Sequence, residues 1–200
     1  MGRKSIDRSR KNITNKVNKW LEILLLNLQN KDIEKLTMDD FAILAKKSKS
    51  TIYSYFQSKE EILLAACKTK VDALSNSVFN IIEQNLETVE LYELLVKTFA
   101  EGTSSISISF LQSIKKSYPT SWSVIEVFTD NYINLLREQY KKGIEKGIFN
   151  TISIDLLSQL DKIFVLQVVT NPTIFNDKEY SVSELITQYL NLRLTGLLKR

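Results

Sequence analysis

Apolar residues recur at three- and four-residue spacing near the start of the chain, at Ile13, Val17, Trp20, Leu21, Leu24, Leu25 and Leu28, which predicts an amphipathic helix over residues 11–28. Asn30 and Lys31 break that pattern. The Thr37 hydroxyl can cap a short helix with Asp39 and Asp40 in its first turn, where the helix dipole favours anions, and with Phe41, Ala42 and Ala45 facing inward. The polar run Lys46-Lys47-Ser48-Lys49 ends it, and Ser48 can cap a second short helix over residues 49–55 with Ile52 and Phe56 spaced to face a core. Ser58 to Glu61 reads as a capping box, each side chain taking up the other residue's amide. The helix it opens should run over residues 58–83 and connect a small N-terminal unit to the rest.

Beyond residue 83 the helical period continues through residues 91–108, 110–116, 120–142, 154–169 and 183–198, with breaks at Pro119, Gly143 to Asn150 and Asn171-Pro172. Both Gly143 and Gly147 follow lysine-rich turns and are expected to end a helix. Between Ser104 and Phe110, isoleucine and serine alternate in a strand-like way, the one stretch that competes with a helical reading. Ser181 to Glu184 offers another cap, and the helix after it is apolar nearly all round. Such a helix is either deeply buried or shared with a partner chain, here in an interface with the 154–169 helix. The fold class is all-α: an N-terminal three-helix helix-turn-helix domain, residues 1–57, and a larger helical bundle, residues 58–200, that dimerises.

Charge changes this picture by being uneven. The chain carries a net charge of +4, but residues 1–60 hold 13 Lys/Arg against 7 Asp/Glu while the remainder is slightly acidic. A positive end on a neutral body suits a polyanion-binding head, although a solvated basic tail has the same composition. With 44% hydrophobic and 25% charged residues, the chain can bury a sizeable core. The single cysteine, Cys67, allows no internal disulfide and is read as a small buried hydrophobe. The absence of histidine removes the usual zinc sites and His-based catalysis, so neither a metal nor a cofactor is expected, and the chain is not read as an enzyme. No apolar run approaches the ~20 residues of a membrane span, and the basic start has no signal-peptide core after it, which points to the cytoplasm and away from membranes.

The segment FAILAKKSKSTIYSYF, Phe41 to Phe56, followed by QSKEEIL, resembles the DNA-binding signature of the tetracycline-repressor (TetR/AcrR) family of bacterial regulators. That pattern runs helix, Ala-Gly-Val-Ser turn, recognition helix with Thr-Leu-Tyr-x-Tyr/His-Phe, then Ser-Lys-Glu. Ala45, Ser48, Thr51, Ile52, Tyr53, Tyr55, Phe56, Ser58, Lys59 and Glu60 supply it here. The resemblance covers residues 10–65. Lys46-Lys47 departs from the usual Gly-Val, and a non-glycine residue in a left-handed conformation costs roughly 1–2 kcal/mol unless local contacts compensate. Either the turn is reshaped or both lysines lie at the DNA surface. Ser50 also replaces a frequent glycine.

The outward Ser, Lys, Thr and Tyr of the second short helix suit the major groove, where hydroxyls and ammonium groups meet base edges. Lys49, Ser50, Thr51 and Ser54 are base-edge candidates, with Ser48 at the same helix start. By resemblance Tyr53, Lys59, Lys46, Lys47 and Thr14 contact phosphates. Arg3, Lys4, Arg8, Arg10 and Lys11 form a basic arm that either reaches DNA or is a free tail. Ile52 and Phe56 read as core rather than contact residues. The resemblance implies a repressor on pseudo-palindromic double-stranded operator DNA, released by a small, mainly apolar effector. Phe99, Phe110, Ser113, Trp122, Phe128, Tyr132, Phe164 and Gln167 are its candidate pocket, though core packing explains most of them too. A helical protein-interaction module without specific DNA binding is the alternative.

Overall fold

A computed structural model describes residues 10–171, 173–174 and 180–199. Among these residues the chain forms nine α-helices: α1 (Asn15–Leu28), α2 (Met38–Leu44), α3 (Lys49–Tyr53), α4 (Lys59–Ile82), α5 (Thr88–Thr103), α6 (Ile108–Ser117), α7 (Pro119–Glu145), α8 (Ile154–Ile163) and α9 (Val182–Leu197). The fold is all-helical, an N-terminal helix-turn-helix joined to a larger helical body. Phe149 and Leu198 meet in an isolated antiparallel bridge.

Helix starts follow local chemistry. Thr37 and Asp40 form a full capping box on α2, and Ser181 and Glu184 form one on α9. Ser48, Ser107 and Ser153 each accept the amide three residues on, at α3, α6 and α8, while Pro119 opens α7 with its preset φ. The box expected at Ser58 is only half made. Ser58 accepts from the Glu61 amide at 3.2 Å, but the Glu61 carboxylate accepts the Gln57 N–H at 2.7 Å and both bonds of the Arg10 guanidinium. A cation brought in from 51 residues away has redirected the side chain.

Four other expectations change. Helix α1 starts at Asn15, four residues later than its periodicity suggests, with Ile13 half exposed. Gly143 does not end α7; it lies inside the helix, where a Cβ would sit 2.0 Å from Cδ2 of the fully buried Phe149 and only glycine fits. Gly147, at φ +70°, is the glycine that follows the helix end in the left-handed conformation. The Ser104–Phe110 alternation is no strand, but neither does the helix expected over 91–108 run through it: α5 stops at Thr103 and α6 starts at Ile108. Ile106, Ile108 and Phe110 enter the two cores, while Ser107 caps α6 and grips Gln29 beyond α1: its N–H donates to Gln29 Oε1 at 2.8 Å and its hydroxyl to the Gln29 carbonyl at 2.6 Å. The single helix expected over residues 154–169 is α8 followed by one wide π turn, Phe164–Val168.

Two apolar cores result. The first holds α1 to α3, the first turns of α4 from Ile62 to Cys67, Phe110 and Ile114 of α6, Trp122 of α7 and Tyr118 between those two helices. The second holds the rest of α4 with α5, α7, α8 and α9. Cys67 is buried in the first, and burial pushes its thiol up to about 12, as expected of a packing residue. Its neighbour core is stiffened by aromatic pairs, Phe99 with Tyr132 at 4.6 Å and Tyr92 with Tyr140 at 6.0 Å.

Gly143→Ala is expected to destabilise the protein by about 1–3 kcal/mol, the cost of overpacking a closed core. In urea denaturation Gly143→Ala/Phe149→Leu should lose less than the sum of the two single changes; strict additivity would dissociate the glycine from the ring.

Candidate nucleic-acid interface and effector cavity

The turn between α2 and α3 keeps the helix-turn-helix shape despite Lys46-Lys47. Lys46 takes φ +55°. Its N–H donates to the Ile43 carbonyl at 3.0 Å and the Lys47 N–H to the Ala42 carbonyl at 2.9 Å, the paired bonds of a Schellman motif. Those bonds occupy carbonyls left open at the end of α2 and offset the strain of a side chain in the left-handed region. The turn is therefore not reshaped. The Lys46 side chain is exposed and that of Lys47 half-buried. Asn27 fixes α1 to this point, donating to the Leu44 carbonyl at 2.8 Å.

Helix α3 is held by Ile52 and Phe56, both buried, and Trp20 takes Phe56 edge-on at 5.8 Å and Tyr55 edge-on at 6.3 Å. Its outer side presents Lys49, Ser50 and Tyr53, the last with 53% of its surface exposed. The Ser48 hydroxyl lies 3.0 Å from Ser50 Oγ and 2.8 Å from Thr51 Oγ1. These three hydroxyls form one chain beside Lys49, whose ammonium pairs with Asp39. Asp39 sets the resting position of that lysine, a role the sequence reading did not give it. Thr14 is exposed at the N-terminus of α1, its hydroxyl making no cap bond.

Two candidates turn inward. The Ser54 hydroxyl donates to the Thr51 carbonyl at 2.7 Å and is partly buried, and the Ser54 carbonyl accepts the Lys11 N–H at 3.1 Å. The Lys59 ammonium donates to the carbonyls of Glu34 at 2.8 Å and Ile33 at 3.3 Å, tying α4 to the α1–α2 loop. Of the basic arm, Arg3, Lys4 and Arg8 lie outside the described residues, and Arg10 is paired with Glu61 at 2.9 Å.

Beneath this head lies an apolar cavity of about 80 Å³. Four of the eight candidate pocket residues, Phe99, Phe110, Trp122 and Phe128, line it. The other four do not. Tyr132 is fully packed and donates to the Leu95 carbonyl at 2.8 Å. Phe164 stacks on Tyr189 at 3.9 Å, toward α9. Ser113 and Gln167 open onto a separate polar groove. The aromatic criterion missed the walls given by α4 (Cys67, Val71, Leu74) and by the π turn (Val165, Leu166). An apolar run on α4 longer than a connector needs was the available signal.

Residues 28–66 match the family model described as bacterial regulatory proteins, tetR family. The helix-turn-helix is of the tetR type. Among curated relatives, the uncharacterized HTH-type transcriptional regulator YvaF of Bacillus subtilis (strain 168) is 24% identical over 46% of this chain, and the match spans about half of its length (49%). The fatty acid metabolism regulator protein of the same organism is 24% identical over 74% of this chain and 77% of its own. Among solved structures, FadR from Bacillus subtilis in complex with stearoyl-CoA shares the fold with a TM-score of 0.65 at 21% identity, covering 89% of this chain and 98% of that one. A putative transcriptional regulator from Saccharomonospora viridis in complex with choline has a TM-score of 0.70 at 18% identity, over 94% and 100%.

The tetR-type head is joined to the body by α6 as well as α4. Gln29 is held by Ser107, the Tyr118 hydroxyl donates to the Ile33 carbonyl at 3.4 Å, and Glu34 accepts from Lys116 at 3.1 Å and from Ser117 at 2.7 Å. These bonds hold the Glu34 carboxyl below its usual range, the Ser117 hydroxyl contributing most. Lys59→Met should therefore act on the fold rather than on DNA: thermal unfolding shifts down by an amount equivalent to about 1 kcal/mol, while the salt dependence of DNA affinity keeps its slope. A flatter slope would return Lys59 to the phosphates.

Proposed function

We propose that the chain is a cytoplasmic, ligand-responsive DNA-binding transcriptional regulator, a repressor that binds a pseudo-palindromic operator as a homodimer and leaves it when a mainly apolar effector enters the body. The observation that carries this reading is the outward face of α3, hydroxyls and a lysine held rigidly on a tetR-type head that shares its core with the wall of an apolar cavity. Lys49, Ser50 and Thr51 are the base readers; Lys46, Lys47, Tyr53 and Thr14 are the phosphate contacts, with Ser48 holding the hydroxyl chain in place. Ser54 and Lys59, both committed to backbone carbonyls, support the head instead.

Dimerisation is supported by apolar side chains left exposed on adjacent helices, Leu156, Leu160 and Ile163 on α8 and Leu192 on α9, the last 73% exposed. They sit beside a groove bounded by the Phe164–Tyr189 stack. A two-fold pair would set its two α3 helices against successive major grooves, ~34–36 Å apart. The fatty acid regulator among the relatives and the stearoyl-CoA complex among the structures favour a long-chain acyl effector. Among the described residues no helix is long and apolar enough to cross a membrane.

Selection of bound duplexes from a random pool, then titration of the winner at two salt concentrations, tests the reading. A pseudo-palindrome is expected; no enriched sequence and no binding at low salt would favour a helical interaction module instead. Thr51→Ala and Tyr53→Ala should weaken specific binding with the helical content unchanged. Lys46→Ala and Lys47→Ala should each reduce the log–log salt slope by about 1.8, two phosphate contacts per dimer at ~0.9 each. Leu160→Glu should convert a dimer to a monomer in analytical ultracentrifugation; a monomeric wild-type chain would remove α8 and α9 as an interface.

A further inference from the structure

The apolar cavity is far below the ~300 Å³ at which ligand pockets begin, so an occupant must move one of its walls. The least regular wall is the π turn, which brings Val165 and Leu166 to the cavity and whose Leu166 carbonyl is held by side chains, Thr170 Oγ1 at 2.9 Å and Lys115 Nζ at 2.7 Å. On the other side of the same seam lies the polar groove, lined by Gln112, Ser113 and Lys116 of α6, by Gln167 and Thr170, and by Glu34, whose carboxylate is taken up by Lys116 and Ser117. Neighbouring residues face opposite ways: Leu111 and Leu166 line the cavity, Gln112 and Gln167 the groove.

Lys115 belongs to both. It lines the groove, and its ammonium stands 5.4 Å from the ring centre of Trp122, a cavity residue. Its hydrogen-bond acceptors are all neutral: the Leu166 carbonyl, Gln167 Oε1 at 3.0 Å and Thr170 Oγ1 at 2.9 Å. None of these carries the negative charge that would balance it. Burial lowers its pKa, with Glu126 acting against that. An anion delivered to the groove would give it a stronger partner than three neutral oxygens.

Resting on the reading of an apolar effector, we propose that the polar groove is a second subsite of the same ligand, taking the anionic headgroup of an amphiphile whose chain enters the cavity, with Lys115 as the residue that receives the anion. In moving to the anion Lys115 releases the Leu166 carbonyl, so one of the two side-chain bonds on that wall gives way as the headgroup binds and the Thr170 hydroxyl is left as its remaining side-chain donor. The ligand is a long-chain carboxylate or a phosphate-bearing acyl thioester; the anion is the chemistry they share.

Calorimetric titration of the full chain with palmitate, palmitoyl-CoA and uncharged dodecanol tests this. The two anionic probes should differ if the head itself is recognised: tighter palmitoyl-CoA marks a phosphate-bearing head in the groove, tighter palmitate a bare carboxylate, and either supports the subsite. Lys115→Met should weaken the tighter anionic probe about tenfold or more, the loss of one charge-assisted contact, and leave dodecanol unchanged or tighter. Ser113→Glu, which leaves the Lys115 contacts in place and adds a negative charge to the groove, should weaken the anionic probes alone, so the test survives if Lys115→Met fails to fold. Dodecanol and palmitate binding equally, with both variants leaving all affinities unchanged, would overturn the subsite while leaving the apolar effector intact. Failure of all three probes to bind the wild-type chain would overturn the apolar effector reading and the subsite with it.

Discussion

Helix α4 is buried at both ends by different partners, and the rest of the molecule depends on that shared burial. Ile62 to Cys67 complete the core of the helix-turn-helix head, while Leu74, Val78 and Ile81 enter the core of the body. Because an α-helix advances ~1.5 Å per residue without breaking its hydrogen bonds, it is a rigid strut between the two. The cavity lies where the two cores meet, along the middle of that strut, with Cys67, Val71 and Leu74 in its wall. A ligand that widens the cavity therefore pushes on the same helix that aims α3.

A second connection runs through α6. Its N-terminal serine holds Gln29, its C-terminal end holds Glu34 and Ile33, and its middle supplies Phe110 and Leu111 to the cavity. Most of these bonds are partly exposed and individually weak, but they bear on one short loop between α1 and α2. Head orientation is thus set by two elements that both line the cavity. Lys115 of the same helix clasps the π turn at the Leu166 carbonyl, so α6 also bears on that wall of the cavity.

Short-range chemistry was legible in the chain. The caps at Thr37, Ser48 and Ser181, the tetR-type motif and the core roles of Ile52, Phe56 and Cys67 are each fixed by residues within a few positions of one another. Where the reading failed, a distant residue intervened. Arg10 redirected Glu61, and Phe149 packs against Gly143 inside the helix that this glycine was expected to end.

The pocket shows the same division. Aromatic spacing found Phe99, Phe110, Trp122 and Phe128, because large apolar residues at helical spacing point inward whatever they enclose. It could not separate a filled core from a cavity, since that distinction depends on how helices distant in sequence fit together. Sequence alone determined the helix-turn-helix, its capping and its basic, hydroxyl-rich face, all products of interactions local along the chain. Tertiary structure decided which lysines remain free, where the cavity opens and that Lys115 spans its edge, because each depends on a carbonyl or ring that only folding brings within reach.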